Sequence, residues 1–272
     1  MKVILVTGGA GSLGREVVDI LISRGCKVRA MDINEAGLAN LLQLGYPPDL
    51  FTVEYGDVRN YGRVIEAMQG CDTVIHTAAM KNLDITEGDV SEMILTNTIG
   101  SDNVARAAKA LGVECAILIS TDKAVSPTSA YGASKLLAEK EWLCKSRQTV
   151  RSRFVIFRSG NFKQSAGNVL ETWNRQETAG VSLTVTDLEM ERYFIDTRKA
   201  AELICDIPMY AANGDIIIPK MELVKILDLL NEQFPGCTYK IVGARPGEKQ
   251  VEKLMSDDER VVHDLVDVMV IA

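Results

Sequence analysis

The chain has 272 residues, 47 % apolar and 25 % charged, values that exclude collagen-like, mucin-like and wholly disordered chains. Thirty Lys and Arg stand against 37 Asp and Glu, a net charge of −7 with no dense basic block. Broad nucleic-acid binding, which runs on Lys and Arg neutralising phosphates, is therefore not expected, although a local cationic pocket for one diphosphate is compatible with this balance.

The first apolar run, Val3–Val6, is too short for a signal peptide, and no stretch approaches the about 20 apolar residues of a membrane span. It reads as the first of six strands, followed by Lys27–Met31, Phe51–Val53, Thr73–His76, Ala116–Ser120 and Phe154–Phe157. Most are apolar at consecutive positions, as expected of strands covered on both faces of a parallel sheet. Helical patterns lie between them at Gly14–Ser23, Gly62–Met68, Val90–Leu111 and Ser134–Lys145, with Gly25 and Gly112 standing where C-caps would. This alternation implies right-handed crossovers and an α/β fold with a doubly wound parallel sheet. After Arg158 the pattern loosens, punctuated by Gly160-Asn161-Phe162, Ser165-Ala166-Gly167 and Ala179-Gly180. A helix is expected near Arg198–Cys205, a strand at Asp215–Ile218, a helix at Met221–Phe234 and an apolar close at Val266–Ile271.

Six scattered cysteines without a CxxC pair argue against both a zinc site and a disulfide scaffold. His76 and His263 are too far apart to form a helical metal pair, so no metal is expected. The default is a cytoplasmic protein without membrane contact.

Thr7-Gly8-Gly9-Ala10-Gly11-Ser12-Leu13-Gly14 follows the first strand and opens the first helix. Gly8 suits a tight turn, Gly11 lets backbone approach a pyrophosphate, and Gly14 lets helix and strand pack closely, with the helix N-terminus facing the anion. This pattern points to dinucleotide binding and hence to a Rossmann-type domain over residues 1–160. Residues 161–272 are expected to form a small C-terminal substrate-binding lobe, interleaved with the last part of the sheet. Asp32 lies roughly 20 residues past the turn, where a carboxylate accepts from the adenosine ribose and repels a 2′-phosphate. No Arg follows it, which favours NAD while leaving NADP possible. Asp57 stands at a strand end, either facing the adenine amino group or capping a turn.

Ser120-Thr121-Asp122-Lys123 ends the fifth strand, Pro127 breaks the chain, and Tyr131-Gly132-Ala133-Ser134-Lys135 starts a helix. Tyr131 and Lys135, four apart, share one helix face. An ammonium beside a phenol favours phenolate, so Tyr131 is expected to take a proton from an alcohol while hydride leaves the same carbon, with Thr121 holding the oxygen.

With these residues in view, the chain resembles the extended short-chain dehydrogenase/reductases. Within them it is similar to the inverting UDP-N-acetylglucosamine 4,6-dehydratases of polysaccharide biosynthesis. The segments that carry the likeness are His76 to Lys81, Ser120 to Val125, Pro127 to Lys135, Arg158 to Asn161 and Arg245-Pro246-Gly247-Glu248-Lys249, with Thr121-Asp122-Lys123 the discriminating triplet.

The resemblance implies that Asp122 is the acid assisting departure of the carbon-6 hydroxyl and Lys123 the base at carbon 5. A lysine base needs a cationic neighbour or burial, a part that Lys135 and the nicotinamide charge are expected to play. The alternative is an ion pair at the strand end, which would leave a 4-epimerase or a 4-keto reductase. The resemblance further implies Ser12, Leu13, Val58, Ala78 and Ala79 at the cofactor, and Lys81 and Asn161 at the substrate. Arg245 is expected at the diphosphate and Glu248 at ribose hydroxyls. Arg192 is expected either near the diphosphate or on a helix surface. A UDP-sugar substrate and a homodimer or higher oligomer, paired through Val90–Leu111 and Ser134–Lys145, are implied as well. The chain departs from the family in Phe162 to Asn168, which lacks the usual Arg, in Trp173, and in ending at Ala272 before the usual tail.

Overall fold

A computed structural model describes every residue except Leu83, Asp84, Thr86, Ala166 and Ala272. The Ala166 punctuation and the chain end at Ala272 therefore lie outside the described residues. Strands β1 (Val3–Thr7), β2 (Lys27–Asp32), β3 (Phe51–Tyr55), β4 (Thr73–His76), β5 (Cys115–Thr121) and β6 (Arg153–Ser159) match the expected positions to within a few residues. Among the described residues the main sheet has nine strands in the order β13-β14-β10-β6-β5-β4-β1-β2-β3. From β3 to β10 (Ile216–Pro219) the pairs are parallel, and β14 (Val268–Ile271) and β13 (Val261–Asp264) add antiparallel. The order 3-2-1-4-5-6 is that of a dinucleotide-binding sheet, with a crevice where the direction of winding reverses between β1 and β4.

Helices cover both faces because successive side chains point to opposite sides. Ile4 and Val6 meet α1 (Ser12–Ser23), α2 (Glu35–Gln43) and α7 (Thr197–Tyr210) through Val17, Leu21, Leu41 and Ile204. Leu5 meets α3 (Tyr61–Met68), α4 (residues 90–111) and α5 (Ala130–Ser146) through Val64, Val104, Ala108 and Ala138. The α4 helix runs from Val90–Met93 through a π-helical stretch, Ile94–Ile99, into Gly100–Leu111, so the continuous helix expected there carries a wide turn in its middle. Gly25 and Gly112 take the positive φ that ends α1 and α4, as expected of C-cap glycines.

A third apolar cluster sits apart from the sheet. Trp173 on α6 (Val169–Thr178) packs with Leu183, Val185, Phe194, Leu229 and Phe234. Around it lie two small sheets, β11-β9-β7 and β12-β8. Their strands are β7 (Asn161–Phe162), β8 (Leu183–Val185), β9 (Glu191–Ile195), β11 (Glu222–Lys225) and β12 (Tyr239–Ile241). The helix expected over Met221–Phe234 is instead β11 followed by α8 (Ile226–Gln233), because Glu222–Lys225 pairs with β9 before the chain turns helical.

Trp142 on α5 is fully buried, edge-on to Phe154 and parallel to His76 at 6.2 Å between ring centres. Its indole N–H has no hydrogen-bond partner among the described residues. Trp142→Ala is expected to lower stability by about 3–5 kcal/mol, and Trp142→Phe, which removes the orphaned N–H, by clearly less. Urea unfolding of the three proteins checks the order.

Candidate active site

The ends of β1, β2, β4, β5 and β6 open into a cleft of about 1160 Å³ that also reaches the lobe cluster. Single-ligand pockets run to about 300–1,000 Å³, so the cleft has room for a cofactor and a substrate together. Among the described residues seven basic side chains line it, Arg59, Lys81, Lys123, Lys135, Arg175, Arg192 and Arg245, against four acidic ones, Asp32, Asp57, Glu92 and Glu248. A chain that is acidic as a whole thus presents a cationic cleft suited to phosphates.

At the β1 side the lining consists of Gly8, Gly11, Ser12, Leu13 and Gly14. Gly8 adopts φ +70°, and a Cβ there would lie 2.6 Å from the Ala78 nitrogen. At Gly14 a Cβ would run into the Gly8 carbonyl oxygen, so the helix sits directly on the turn. Gly11 is the N-cap of α1, and no side chain caps the helix. A glycine-flanked helix start of this kind fits a pyrophosphate. Asp32 accepts from the amides of Ala10 at 3.0 Å and Asn34 at 2.9 Å, which roots its carboxylate at the cleft wall. Asp57 accepts from the Arg59 amide and guanidinium; burial raises its pKa, but the Arg59 bonds outweigh it and hold the carboxyl below its ordinary value. Asp57 therefore caps a turn while also lining the cleft. Val58, Ala78 and Ala79 complete this wall.

The loop after β4 is held by Asn97, a residue that the reading of the sequence missed. From the π-helical stretch of α4 its buried amide accepts from the Met80 nitrogen and donates to the Met80 oxygen, each at 2.8 Å, and to Ser134 Oγ at 3.1 Å. A wide turn inside an otherwise regular helix was the missing signal, and nothing local in the sequence encodes it. His76, the residue at the end of β4, bridges Thr7 Oγ1 at 2.7 Å and Ser101 Oγ at 2.9 Å. Burial and the nearby Lys135 charge lower its pKa to about 3, so it is neutral.

Thr121, Lys123, Tyr131 and Lys135 line the cleft together, whereas Asp122 lies wholly buried behind them. Ser129 caps α5, and a Cβ on Gly132 would collide with the Lys123 carbonyl oxygen, which sets the helix start against the strand-end turn. Lys135 donates to the Ile119 carbonyl at 2.6 Å; burial, partly offset by Glu139, lowers its pKa to about 8. Burial, and then the Asp122 charge, push the Tyr131 phenol well above its ordinary value, against a lowering hydrogen bond with Thr121. The expected phenolate is therefore not set up by the chain alone, because burial dominates and Lys135 is anchored to backbone. Lys123 lines the same cleft as Lys135 and has two carboxylates beside it. Its ammonium lies 3.0 Å from Asp122 Oδ1 and 3.9 Å from Glu252 Oε1.

On the lobe side Lys81 donates to Ser165 Oγ at 3.2 Å, and Asn161 opens β7 beside it on the cleft wall. Arg192 is neither on a helix nor on the surface. It sits buried on β9 and donates to the carbonyls of Glu191, Lys249 and Gln250, with Glu248 Oε1 at 3.3 Å. Glu248 Oε2 accepts from the Arg245 amide at 3.1 Å, so Arg245 and Glu248 share one tight loop at the cleft. Trp173 does not reach the cleft, since its indole donates to the Thr184 carbonyl within the lobe cluster.

The sheet order, the glycine turn and the Tyr131–Lys135 helix face define a short-chain dehydrogenase/reductase. Within that class the chain belongs to the polysaccharide biosynthesis protein family, whose model matches residues 4–272. An uncharacterized membrane protein of Methanocaldococcus jannaschii is 36 % identical over 95 % of this chain and 81 % of its own length. A UDP-glucose 4-epimerase of Rickettsia bellii is 33 % identical over 95 % and 79 %. An inverting UDP-N-acetylglucosamine 4,6-dehydratase of Campylobacter jejuni is 34 % identical over 95 % and 78 %. Among solved structures, Pen from Bacillus thuringiensis superposes with a TM-score of 0.93 at 30 % identity, over 99 % of this chain and 87 % of that one. The dTDP-glucose 4,6-dehydratase of Streptomyces venezuelae, solved with NAD bound, shares the fold with a TM-score of 0.84 at 21 % identity, over 93 % and 88 %. No helix among the described residues is long and apolar enough to cross a membrane.

Gly132→Ala is expected to push α5 off the strand-end turn and to cost about 1–3 kcal/mol, the usual range for overpacking. Thermal unfolding measures the loss, and an unchanged melting temperature would show that the contact can relax.

Proposed function

We propose that the protein is an NAD-dependent nucleotide-sugar 4,6-dehydratase acting on a UDP-N-acetylhexosamine. The observation that carries this reading is the convergence of Thr121, Lys123, Tyr131 and Lys135 on a cleft that begins at the glycine turn. The similarity to the Campylobacter jejuni dehydratase supports it. NAD would lie along Gly8, Gly11, Ser12, Leu13 and Gly14, with its ribose at Asp32, its adenine near Asp57 and Val58, and Ala78 and Ala79 beside it. When bound, the nicotinamide supplies a hydride acceptor and donor and a positive charge beside Tyr131. Arg245, Glu248, Lys81 and Asn161 hold the UDP-sugar, with Arg192, itself on the cleft wall, bracing the Arg245–Glu248 loop.

Thr121 holds the carbon-4 hydroxyl, and Tyr131 takes its proton as the alcohol becomes a ketone. The carbon-5 proton is then acidic; Lys123, having passed its own proton to Asp122 across their 3.0 Å contact, removes it as the free amine. Asp122 gives a proton to the carbon-6 hydroxyl, which leaves as water. Carbon 6 would take the hydride carried over from carbon 4 by bound NAD, and carbon 5 would be reprotonated. The product is a 4-keto-6-deoxy sugar with no net redox change. A homodimer would bring together the faces on which Ile94, Leu95 and Ile99 of α4 and Leu137 of α5 stand exposed. A second reading, a 4-epimerase, is favoured by the burial of Asp122 and its pairing with Lys123, which suit a structural ion pair.

Incubation with UDP-N-acetylglucosamine and mass spectrometry of the product separates the two. Loss of one water supports the dehydratase, and an isobaric product with inverted carbon 4 supports the epimerase. Lys123→Ala is expected to abolish solvent-deuterium exchange at carbon 5 while carbon-4 oxidation persists; surviving exchange removes Lys123 as the base. Asp32→Ala is expected to weaken NAD binding more than NADP binding, measured by calorimetric titration, and the opposite order refutes the ribose assignment.

A further inference from the structure

The strap that follows Arg245 and Glu248 runs directly over the strand-end turn. Gly247 adopts φ +77°, and a Cβ there would lie 2.9 Å from both Ser129 Cα and the Thr128 oxygen. Thr128 Oγ1 donates to the Gly247 carbonyl at 2.7 Å, and Glu191 N donates to the Gln250 carbonyl at 3.0 Å. Two residues further on, Glu252 turns inward until its side chain is 2 % exposed. A carboxylate so buried needs compensating charge. Lys249 supplies it directly, with Nζ 3.0 Å from Oε2 while also donating to the Val125 carbonyl at 2.8 Å. Lys123 also faces it, 3.9 Å from Oε1. Asp122, Lys123, Glu252 and Lys249 thus alternate in sign along a line that leads from the buried interior, past the cleft, to the strap.

We propose that Glu252 is a positioning residue that holds the Lys123 side-chain nitrogen in place, so that the strap bearing Arg245 and Glu248 also sets the group at carbon 5. The functional consequence rests on the dehydratase reading. The positioning itself does not. Without the Glu252 charge, Lys249 would face Lys123 with no carboxylate between the two part-buried cations, and Asp122, on the far side of Lys123, would be its remaining counter-charge. Lys123 would then leave its place beside Oε1. Asp can restore the charge, though on a shorter arm, whereas Gln keeps the shape and loses the charge.

Two measurements on the full chain test this, with Glu252→Gln and Glu252→Asp compared with the unaltered protein. The first is the rate at which acetic anhydride labels Lys123, resolved by peptide mass spectrometry with Lys140 as internal reference. Glu252→Gln is expected to change that rate at least about fivefold, and Glu252→Asp to recover most of the difference, since the effect is one of charge. An unchanged rate overturns the proposal, as does an equal change in both variants, which marks a packing defect. The second is the ratio of carbon-5 deuterium exchange to carbon-4 oxidation with UDP-N-acetylglucosamine. It is expected to fall at least about tenfold in Glu252→Gln, within the range of a misplaced base, with KM little changed. A ratio that holds in Glu252→Gln overturns the catalytic consequence. If the unaltered protein exchanges nothing at carbon 5, the dehydratase reading is what fails, and the labelling result alone decides the positioning.

Discussion

The start of α5 rests on the carbonyl of Lys123, with no room for even one methyl group at Gly132. That contact fixes how far the Tyr131 phenol stands from the residues at the end of β5. Lys135 fixes the same helix a second time, one turn later, through its bond to the Ile119 carbonyl. Two backbone carbonyls of a single buried strand and turn thus locate both members of the helix pair. A rotation of α5 would have to break both contacts. The arrangement also explains why a buried lysine is tolerated: its ammonium exchanges water for a carbonyl and for the nearby charge of Glu139. Glu139 in turn is clamped by Arg158, at 3.0 and 2.7 Å, and Arg158 reaches on to Glu259.

Those links show which parts of the molecule were legible in the sequence. The six strands of the first half were, because a parallel strand covered on both faces leaves an uninterrupted apolar run. The glycine turn and the Tyr131-x-x-x-Lys135 spacing were also legible, since each is a local geometric requirement written in adjacent residues. The α2 helix was not, having only Leu38 and Leu41 buried and hence little periodicity. Leu223 and Val224 suit a helix as well as a strand, and only pairing with Tyr193 and Arg192 decides between them. Asn97 and Glu252 escaped for a different reason. Their partners lie 17 and 129 positions away, at Met80 and Lys123, and no local pattern announces such a meeting.

The electrostatics divide in the same way. Composition gives an acidic chain, and only the fold gathers Lys81, Lys123, Lys135, Arg175 and Arg245 around one opening. The phenol and the amine were expected to act on each other, yet burial dominates both and moves them in opposite directions. A buried site raises the phenol and lowers the amine because it disfavours whichever form carries charge. A charged phenolate at Tyr131 would thus call for positive charge brought into the cleft from outside the chain.

The closing of the sheet carries a consequence for how the chain is made. Ile216 and Ile217 of β10 take their neighbours from Ile156 and Phe157 on one side and from Ile271 and Val270 on the other, and α7 packs on α1 through residues nearly two hundred positions apart. A nascent chain leaving the ribosome can therefore form β1 to β6 while the part of α1 that meets α7 and the outer edge of β6 are still bare. Both are covered only when the final third emerges, so chaperone occupancy during synthesis should concentrate in that interval.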